Sequence, residues 1–600
     1  MCGIAGIIDF KNRIIASDDI KSLIDQMKHR GPDGEGIYLD RNIGFGHRRL
    51  SIIDLSQAGN QPMLYHDKYV ITYNGEIYNY LEIKTELEKD GYIFNTKTDT
   101  EVILAAYDHY GTKCLEHFNG MWAFALYDKV KNILFCSRDR FGIKPFYYSL
   151  KNNRFIFSSE IKPILSTLPG ALVNKKILME YLVLNLTDHT DETFFDGIKT
   201  LRGSHYMIIN LTNYEVNIEK YYDINFSHEI NQLNLKDATR LYQNEFDRSI
   251  TWRLRSDVKV GTCLSGGLDS SYIAAVASSK YHLESDEQFN AITAESLDPR
   301  YNEIIYAKTV VDHLNLNWHV TTPERNDFEN YIYELVRIHE EPFGSLSLFL
   351  QNQVMKEANN AGVVVLLDGQ GADETVLGYS RYIPAYSKTL SIPKRINFLL
   401  NAKNNYGISF SYLVQNQLYF SSYKIRKSRV LNRLGTVNNE FLNTIDFTNI
   451  KELADCQRDL FKLQKLELFK TQIPQLLKWE DKNSMAYSIE TRLPFLDYKL
   501  VETSLSINNE FKLGFSWSKY IMRKAMQDKL PDSIVWRRKK VGFAAPSESW
   551  LSKSKFWMDV EKSPLLNRIF NNHIPVPKDI NLYWRLCNIA LWEKMLNVTL

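Results

Sequence analysis

Cysteine is scarce and scattered. The 600 residues hold six, at Cys2, Cys114, Cys136, Cys263, Cys456 and Cys587. There is no CxxC and no short spacing, which argues against a zinc site or a disulfide scaffold and fits a reducing compartment. Long apolar runs are missing too, since none nears the roughly 18 residues of a membrane helix. The apolar start, Met1 to Ile8, ends at Asp9 and has no basic leader, so we expect no signal peptide and a soluble cytoplasmic protein. Net charge is almost absent, because 73 basic and 71 acidic side chains leave +2. Neither nucleic acid nor an acidic membrane surface is therefore an expected partner. What is present is ordinary globular composition, 44% hydrophobic and 24% charged. The chain is too long for one core, because single cores stop growing at roughly 250–300 residues. Its aromatics, spread without a basic stripe, read as core and pocket walls.

The most informative stretch is Leu264-Ser265-Gly266-Gly267-Leu268-Asp269-Ser270-Ser271. Val258 to Cys263 before it reads as a buried parallel strand. Tyr272 to Ala277 after it reads as the first turns of a helix capped by Ser and Asp. A strand, a glycine turn and a helix N-terminus make an anion site. No Gly-Lys-Ser/Thr follows, so this is not the Walker loop. Asp269 stands where a cation would be held, which suits pyrophosphate with magnesium. Alternating strands and helices continue to Gly362–Leu367, the most apolar strand, and run into a second acidic glycine loop, Asp368-Gly369-Gln370-Gly371-Ala372-Asp373-Glu374. This pattern predicts a doubly wound α/β fold with a parallel sheet, followed by extra helices. Its topology rule puts both loops on one sheet edge, where Asp269 and Asp373 share a magnesium. On spacing alone the basic run at 537–540 reads as a solvated face.

The first two hundred residues read differently. Short β-like runs, such as Ile4–Asp9, Tyr69–Tyr73 and Trp122–Tyr127, are interrupted by helical patterns at Tyr80–Asp90 and Glu101–Tyr110. That segregation predicts an α+β layered domain. Cys2 follows the initiator Met, so it can become the first residue, with its own α-amine as the base that activates the thiol. Asn74-Gly75 reads as a hairpin turn that also presents a side-chain amide and a backbone N–H, the two donors an oxyanion hole requires. We expect domains at 1–212 and 235–600, with Ser227 to Asn234 as the linker.

Residues 1 to about 210 resemble a glutamine amidotransferase domain of the N-terminal-nucleophile type, a layered αββα fold. The strings that carry the resemblance are MCGIAG, HRGPD, GHRRLSIID, YNGEIYN, TDTEV, FNGMWAFALYD and SRDRFGIKPFYY. The resemblance implies that Cys2 takes the γ-glutamyl group and that Asn74 and Gly75 are oxyanion donors. It also implies a glutamine site of Arg49, Leu50, Ser51, Ile52 and Ile53, with Glu76 and Asp99 on the amino group. The second half resembles the ATP-pyrophosphatase domain of asparagine synthetases and their amide-forming relatives. Here the strings are SGGLDSS, the Gly-x-Gly-x-Asp-Glu loop, SMAYSIETRLPFLD and Arg-x-Lys-x-x-Gly-Phe. By implication Leu264, Ser265, Gly266, Gly267, Asp269, Ser270, Ile292, Asp368 and Gly369 meet ATP. Asp269 and Asp373 hold magnesium-pyrophosphate, and Lys539 stabilises the adenylate and the leaving group. The implied reaction makes asparagine from aspartate, ATP and glutamine through β-aspartyl-AMP, and a homodimer is a family expectation. One residue departs from the pattern. The type members have Glu where this chain has Gln370, which cannot act as a base. The same chemistry on another carboxylate therefore stays open, as does a glutamine-binding regulator with an inactive second half.

Overall fold

The computed structural model of the chain describes residues 2–285, 287–406, 409–432, 437–538, 544–551 and 555–600. Two six-stranded antiparallel sheets dominate the first third. One runs Lys199–Thr200, Tyr147–Lys151, Arg154–Ser158, β1 (Gly3–Asp9), β2 (Ile43–Arg49), Gly34–Asp40. The other runs Met63–Tyr65, β3 (Tyr69–Ile77), β4 (Gly120–Asp128), Ile133–Arg138, His205–Asn210, Val216–Lys220. Strand alternation decides the layering. Ile4 and Ile8 of β1 meet Phe45, Val70 and Ala123 in a core between the sheets. Ala5 and Ile7 face outward onto the helix Ser17–Asp25. Tyr73 and Ile77 of β3 face outward onto the helices Tyr80–Lys89 and Asp99–Tyr110. Helix, sheet, sheet, helix is the expected αββα order.

The second half holds a five-stranded parallel sheet, ordered Asn317–Thr321, Asn290–Ala294, β5 (Val260–Cys263), β6 (Val365–Leu367), β7 (Glu490–Arg492). Helices cover both faces. α1 (Leu268–Glu284) and the helix Leu235–Arg253 pack Tyr272, Ile273, Tyr242 and Phe246 against Val260 and Val365. The helix Ser347–Asn360 packs Val354 and Met355 against Ile292 and Leu366. The chain proceeds from β5 to one side of the sheet and returns at β6 on the other. The crevice between their carboxyl ends is the switch point where such sheets bind ligands. Both acidic glycine loops leave the sheet there, as expected.

Three local expectations change. The residue capping α1 is Gly267, in extended conformation and without a side-chain cap. Asn74-Gly75 is no turn, because both residues lie inside β3, opposite Ala123 and Trp122 of β4. A Cβ at Gly75 would strike the Met121 carbonyl, so close approach of the two strands explains the glycine. The expected linker carries a short helix, His228–Gln232, and is pinned where Ser506 Oγ accepts from the Ser227 N–H at 2.9 Å. Elsewhere the chain's end returns to the first half, where Val598–Thr599 pairs in parallel with Ala171–Leu172.

The two halves meet along a buried polar seam, and its charges are partnered. Arg30 is fully buried and donates to both oxygens of Asp481, at 2.8 and 3.1 Å. Asp497 accepts from Asn119 at 2.9 Å, and Glu341 accepts from the Phe194 N–H at 2.8 Å. Unpartnered charges would be costly at such depth, so the pairing fixes how the halves dock.

Candidate active site

Cys2 sits at the head of β1, buried, in a pocket lined also by Arg49, Leu50, Ile52, Ile53, Gly75, Glu76 and Asp99. Eight of the expected residues thus come together. Asn74 joins them through its side chain, whose Oδ1 accepts from the Cys2 backbone N–H at 2.9 Å. That bond turns the amide, and its Nδ2 is left buried with no partner among the described residues. Ser51 is the exception, since its N–H donates to Asp33 at 2.8 Å and it does not line the pocket. Burial pushes the Cys2 thiol up, against smaller pulls from the Leu50 backbone and Arg49. A thiol held protonated in this way requires a base beside it.

The rest of the pocket is charged and oriented. Arg49 donates to the Ser56 carbonyl at 2.6 Å, to Asn60 Oδ1 at 3.1 Å and to the Asp54 carbonyl. Asp99 accepts from the Tyr73 hydroxyl at 2.7 Å and the Ile77 N–H at 2.9 Å, yet burial pushes its carboxyl up to about 6. Burial and the nearby Asp99 push Glu76 well above the usual range, with Arg492 pulling back. Its Oε1 is buried and has no hydrogen-bond partner among the described residues. Sequence reasoning missed Gln61, Tyr73, Thr98 and Thr100 in this wall. It also missed Glu490, which comes from the other half of the chain.

At the switch point a cavity of about 150 Å³ is lined by Leu264, Ser265, Ser270, Ile292, Asp368 and Gln370, with Cys263, Gln351 and Val354. Ser265 and Ser270 hydroxyls lie 3.1 Å apart and the Gly267 N–H donates to Ser265 at 3.2 Å, which folds the loop. Gly266 has φ +68°, and a Cβ there would strike the Ala307 amide. Gly369 lies against Asp269, with 3.3 Å between its own would-be Cβ and that of the acid. Gly266 and Gly267 face a second, adjoining cavity of about 210 Å³ that reaches Asp373, Lys519 and Arg523. Asp269 and Asp373 are indeed brought together, and the group between them is Lys519. Its Nζ donates to both oxygens of Asp269, at 2.6 and 2.8 Å, and reaches Asp373 at 2.6 Å. Lys519 holds a left-handed conformation, φ +53°, ahead of the helix Tyr520–Met526; no motif or periodicity marks it in the sequence. Among the described residues no group of three or more His, Cys, Asp or Glu side chains is arranged for a metal.

Two further expectations need comment. Lys539 lies outside the described residues. Arg537, read as part of a solvated face, is instead mostly buried, stacked 3.5 Å from the Tyr306 ring and paired with Glu303. An aromatic wall and a buried acid, both remote in sequence, override the local pattern. Gln370 donates to Glu480 at 3.5 Å, and Gln351 donates to the same oxygen. Burial and the neighbouring Asp368 push Glu480 well above the carboxylate range, while burial raises Asp368 itself. Glu480 and Asp481 are neighbours on α2 (Ile473–Met485). The first touches the switch-point loop; the second holds Arg30, whose Nε donates to the Cys2 carbonyl at 3.2 Å.

The fold and the two pockets define a two-part class: a layered N-terminal-nucleophile unit docked on a doubly wound unit with paired acidic glycine loops. Residues 1–222 match the model of the glutamine amidotransferase domain, and residues 241–564 match that of asparagine synthase. Over 570 residues the chain is 32% identical to asparagine synthetase (glutamine-hydrolyzing) 1 of Bacillus subtilis, covering 92% of this chain and 88% of that protein. It is 38% identical over 413 residues to a putative asparagine synthetase (glutamine-hydrolyzing) 2 of Methanocaldococcus jannaschii, covering 64% of this chain and 77% of that one. It is also 26% identical to the amidase chry2 of Gibberella zeae, across 92% and 90% of the two chains. The chain belongs to the asparagine synthase family.

Proposed function

We propose that this chain makes asparagine from aspartate, ATP and glutamine, releasing AMP, pyrophosphate and glutamate through a β-aspartyl-AMP intermediate. The reading is supported chiefly by the seam. Neighbouring residues of α2 serve the two pockets at once, Asp481 through Arg30 to Cys2 and Glu480 to Gln370. A chain that only hydrolysed glutamine, or only activated a carboxylate, would have no use for that connection.

Cys2 is the nucleophile in this reading, with its α-amine as base once Met1 is removed, and Asn74 Nδ2 and the Gly75 N–H receive the oxyanion. Arg49 takes the glutamine carboxylate; Glu76 and Asp99 take its amino group. Leu264, Ser265, Ser270, Ile292, Asp368 and Gly369 take ATP. Asp269 and Asp373 supply hard carboxylate oxygens of the kind magnesium binds, and Gly378 leaves space at Asp373 that a Cβ would fill. Magnesium bound there would offset the charge of the departing pyrophosphate. Lys519 is a cation this chain itself brings to that charge, and the family resemblance gives Lys539 the same part. Ammonia kept inside the seam avoids protonation, which would remove its lone pair.

The test supplies glutamine, ATP, Mg²⁺ and aspartate and assays asparagine, glutamate, AMP and pyrophosphate. All four products are expected. Glutamate without AMP would favour a different acceptor carboxylate, the second reading that Gln370 motivates, and turnover of neither substrate would refute both. Cys2→Ala should abolish use of glutamine and spare synthesis from added ammonia.

A further inference from the structure

The wall of the Cys2 pocket is not built by the first half alone. Glu490 lines it, and Glu490 belongs to β7, the edge strand of the other half's parallel sheet. Its carboxylate is 1% exposed. Arg492, two residues on and on the same face of the strand, donates Nε to Glu490 Oε1 at 2.6 Å. Arg492 is itself anchored, because Nη1 donates to the Arg253 carbonyl at 2.8 Å and the Arg255 carbonyl at 2.6 Å. Its Nη2 stands 3.7 Å from Glu76 Oε2. That nitrogen and Glu76 Oε1 are both buried without a hydrogen-bond partner among the described residues.

The charge inventory of the pocket then fits one kind of ligand. The charged lining divides into a single guanidinium, Arg49, and three carboxyl groups, Glu76, Asp99 and Glu490. A small zwitterion with a carboxylate and an ammonium matches that division. The three acids are not equivalent. Burial drives Glu76 and Asp99 toward their neutral forms. For Glu490 burial acts in the same sense, but Arg492 and the other nearby cations, Lys144 among them, together outweigh it and hold the carboxyl below its ordinary range. The acid that keeps its charge is thus the one delivered by the other half of the chain.

We propose that Glu490, oriented by Arg492, is a specificity-determining residue of the glutaminase pocket that binds the α-ammonium of glutamine, so that the pocket is complete only when β7 is docked. This rests on Cys2 being the glutamine-cleaving nucleophile. A consequence follows from register. Leu367 of β6 pairs with Arg492, and the Asp368 N–H donates to the Arg492 carbonyl at 3.0 Å. Filling the glutamine pocket therefore loads the strand that borders the nucleotide loop.

The experiment compares wild type with Glu490→Gln in the full chain. Glutaminase kcat/KM should fall about tenfold or more, carried by KM, the scale of one hydrogen bond between charged groups. Glutaramate, which is glutamine without its α-amino group, should inhibit both proteins with the same Ki. Glu490→Asp, which keeps the charge on a shorter arm, should recover part of the lost kcat/KM. Pyrophosphate release with added ammonia should be unchanged, which reports a correctly folded second half. If Glu490→Gln weakens glutaramate as much as glutamine, or changes neither, Glu490 is only the counter-ion of Arg492 and the inference is wrong. If Glu490→Gln fails to fold, the aspartate variant decides: glutamine KM raised with glutaramate Ki unchanged supports the proposal, and a parallel loss overturns it. Wild type that releases no glutamate from glutamine would refute the underlying reading instead, a result separate from all of these.

Discussion

Asn74→Ala tests the oxyanion assignment most directly, because the structure fixes which end of the amide does what. Oδ1 is committed to the Cys2 N–H at 2.9 Å, so Nδ2 is the end left over, and it is buried with no partner among the described residues. An unsatisfied buried donor costs about 1–3 kcal/mol in the resting protein. That cost is recovered only when a negative oxygen develops in front of Nδ2. The interaction therefore belongs to the transition state and not to bound glutamine, which is the condition for accelerating a reaction. Losing one such donor costs about 10²–10³ in kcat, or ~3–4 kcal/mol. KM for glutamine should change little, and synthesis from added ammonia not at all. Stability should move little as well, since relief of the orphan donor offsets loss of the ~1 kcal/mol bond to Cys2. Asn74→Asp provides the control: it keeps the acceptor for Cys2, replaces the donor with an acceptor, and should be at least as inactive as alanine. Steady-state release of glutamate, with the ammonia-driven reaction alongside, makes the measurement. A fall in kcat of less than about tenfold, or an effect confined to KM, would show that Nδ2 does not face the developing charge.

Two other perturbations follow from the buried charges. Asp481→Ala leaves Arg30 fully buried with Glu160, at 3.3 Å, as its remaining carboxylate partner. Breaking such a pair costs about 3–5 kcal/mol, and the surviving partner places this one at the lower end. Urea unfolding followed by tryptophan fluorescence should show it, together with more glutamate than asparagine formed per ATP; unchanged stability would mean that the seam does not rest on this pair. Asp99 predicts a pH effect. Burial raises its carboxyl from 3.8 to about 6, so the folded chain holds a proton that the unfolded chain releases. The stabilisation is complete below about pH 4 and is lost as pH rises through about 6. Activity runs the other way, because only the ionised form attracts an ammonium: glutamine KM should fall as pH rises through about 6. A KM that is flat from about pH 5 to 7, or an inflection that survives in Asp99→Asn, would refute the role.

The features legible in the sequence were those with a local physical signature. A glycine turn between an apolar strand and a helix reads as an anion site, and the switch-point rule correctly paired the loop at 264–271 with that at 368–374. Cys2 drew notice by position, because only a residue that can become the first has its own amine for a base, and the structure places it in a pocket with Arg49 and Glu76. Hidden features owed their existence to contacts between distant segments. Asn-Gly looked like a turn because that dipeptide favours one in isolation, whereas the pairing of β3 with β4 fixes it as extended chain. Glu490-Thr491-Arg492 has none of the apolar character of a buried strand, and it becomes one by adding to the edge beside β6. Lys519 meets Asp269 across 250 residues of chain, a separation no spacing argument reaches.

Two short elements explain how one chain can couple two chemistries. Successive residues on a helix point about 100° apart, so a single side chain on α2 cannot face both pockets, but two neighbours can. Glu480 takes the switch-point side and Asp481 the Cys2 side. In β7 the geometry is reversed: residues two apart share a face, which lets Arg492 reach Glu490 while its carbonyl, in the plane of the sheet, receives the Asp368 N–H. Both devices fall between residues 473 and 492, one just before and one within the string SMAYSIETRLPFLD that begins at Ser484. The spacing within them is what the coupling depends on. An insertion of one residue between Asp481 and Glu490 would leave the first half's own side chains in place and still move Glu490 off its register with Val365, so synthesis from added ammonia should persist while use of glutamine weakens and the two reactions lose their stoichiometry.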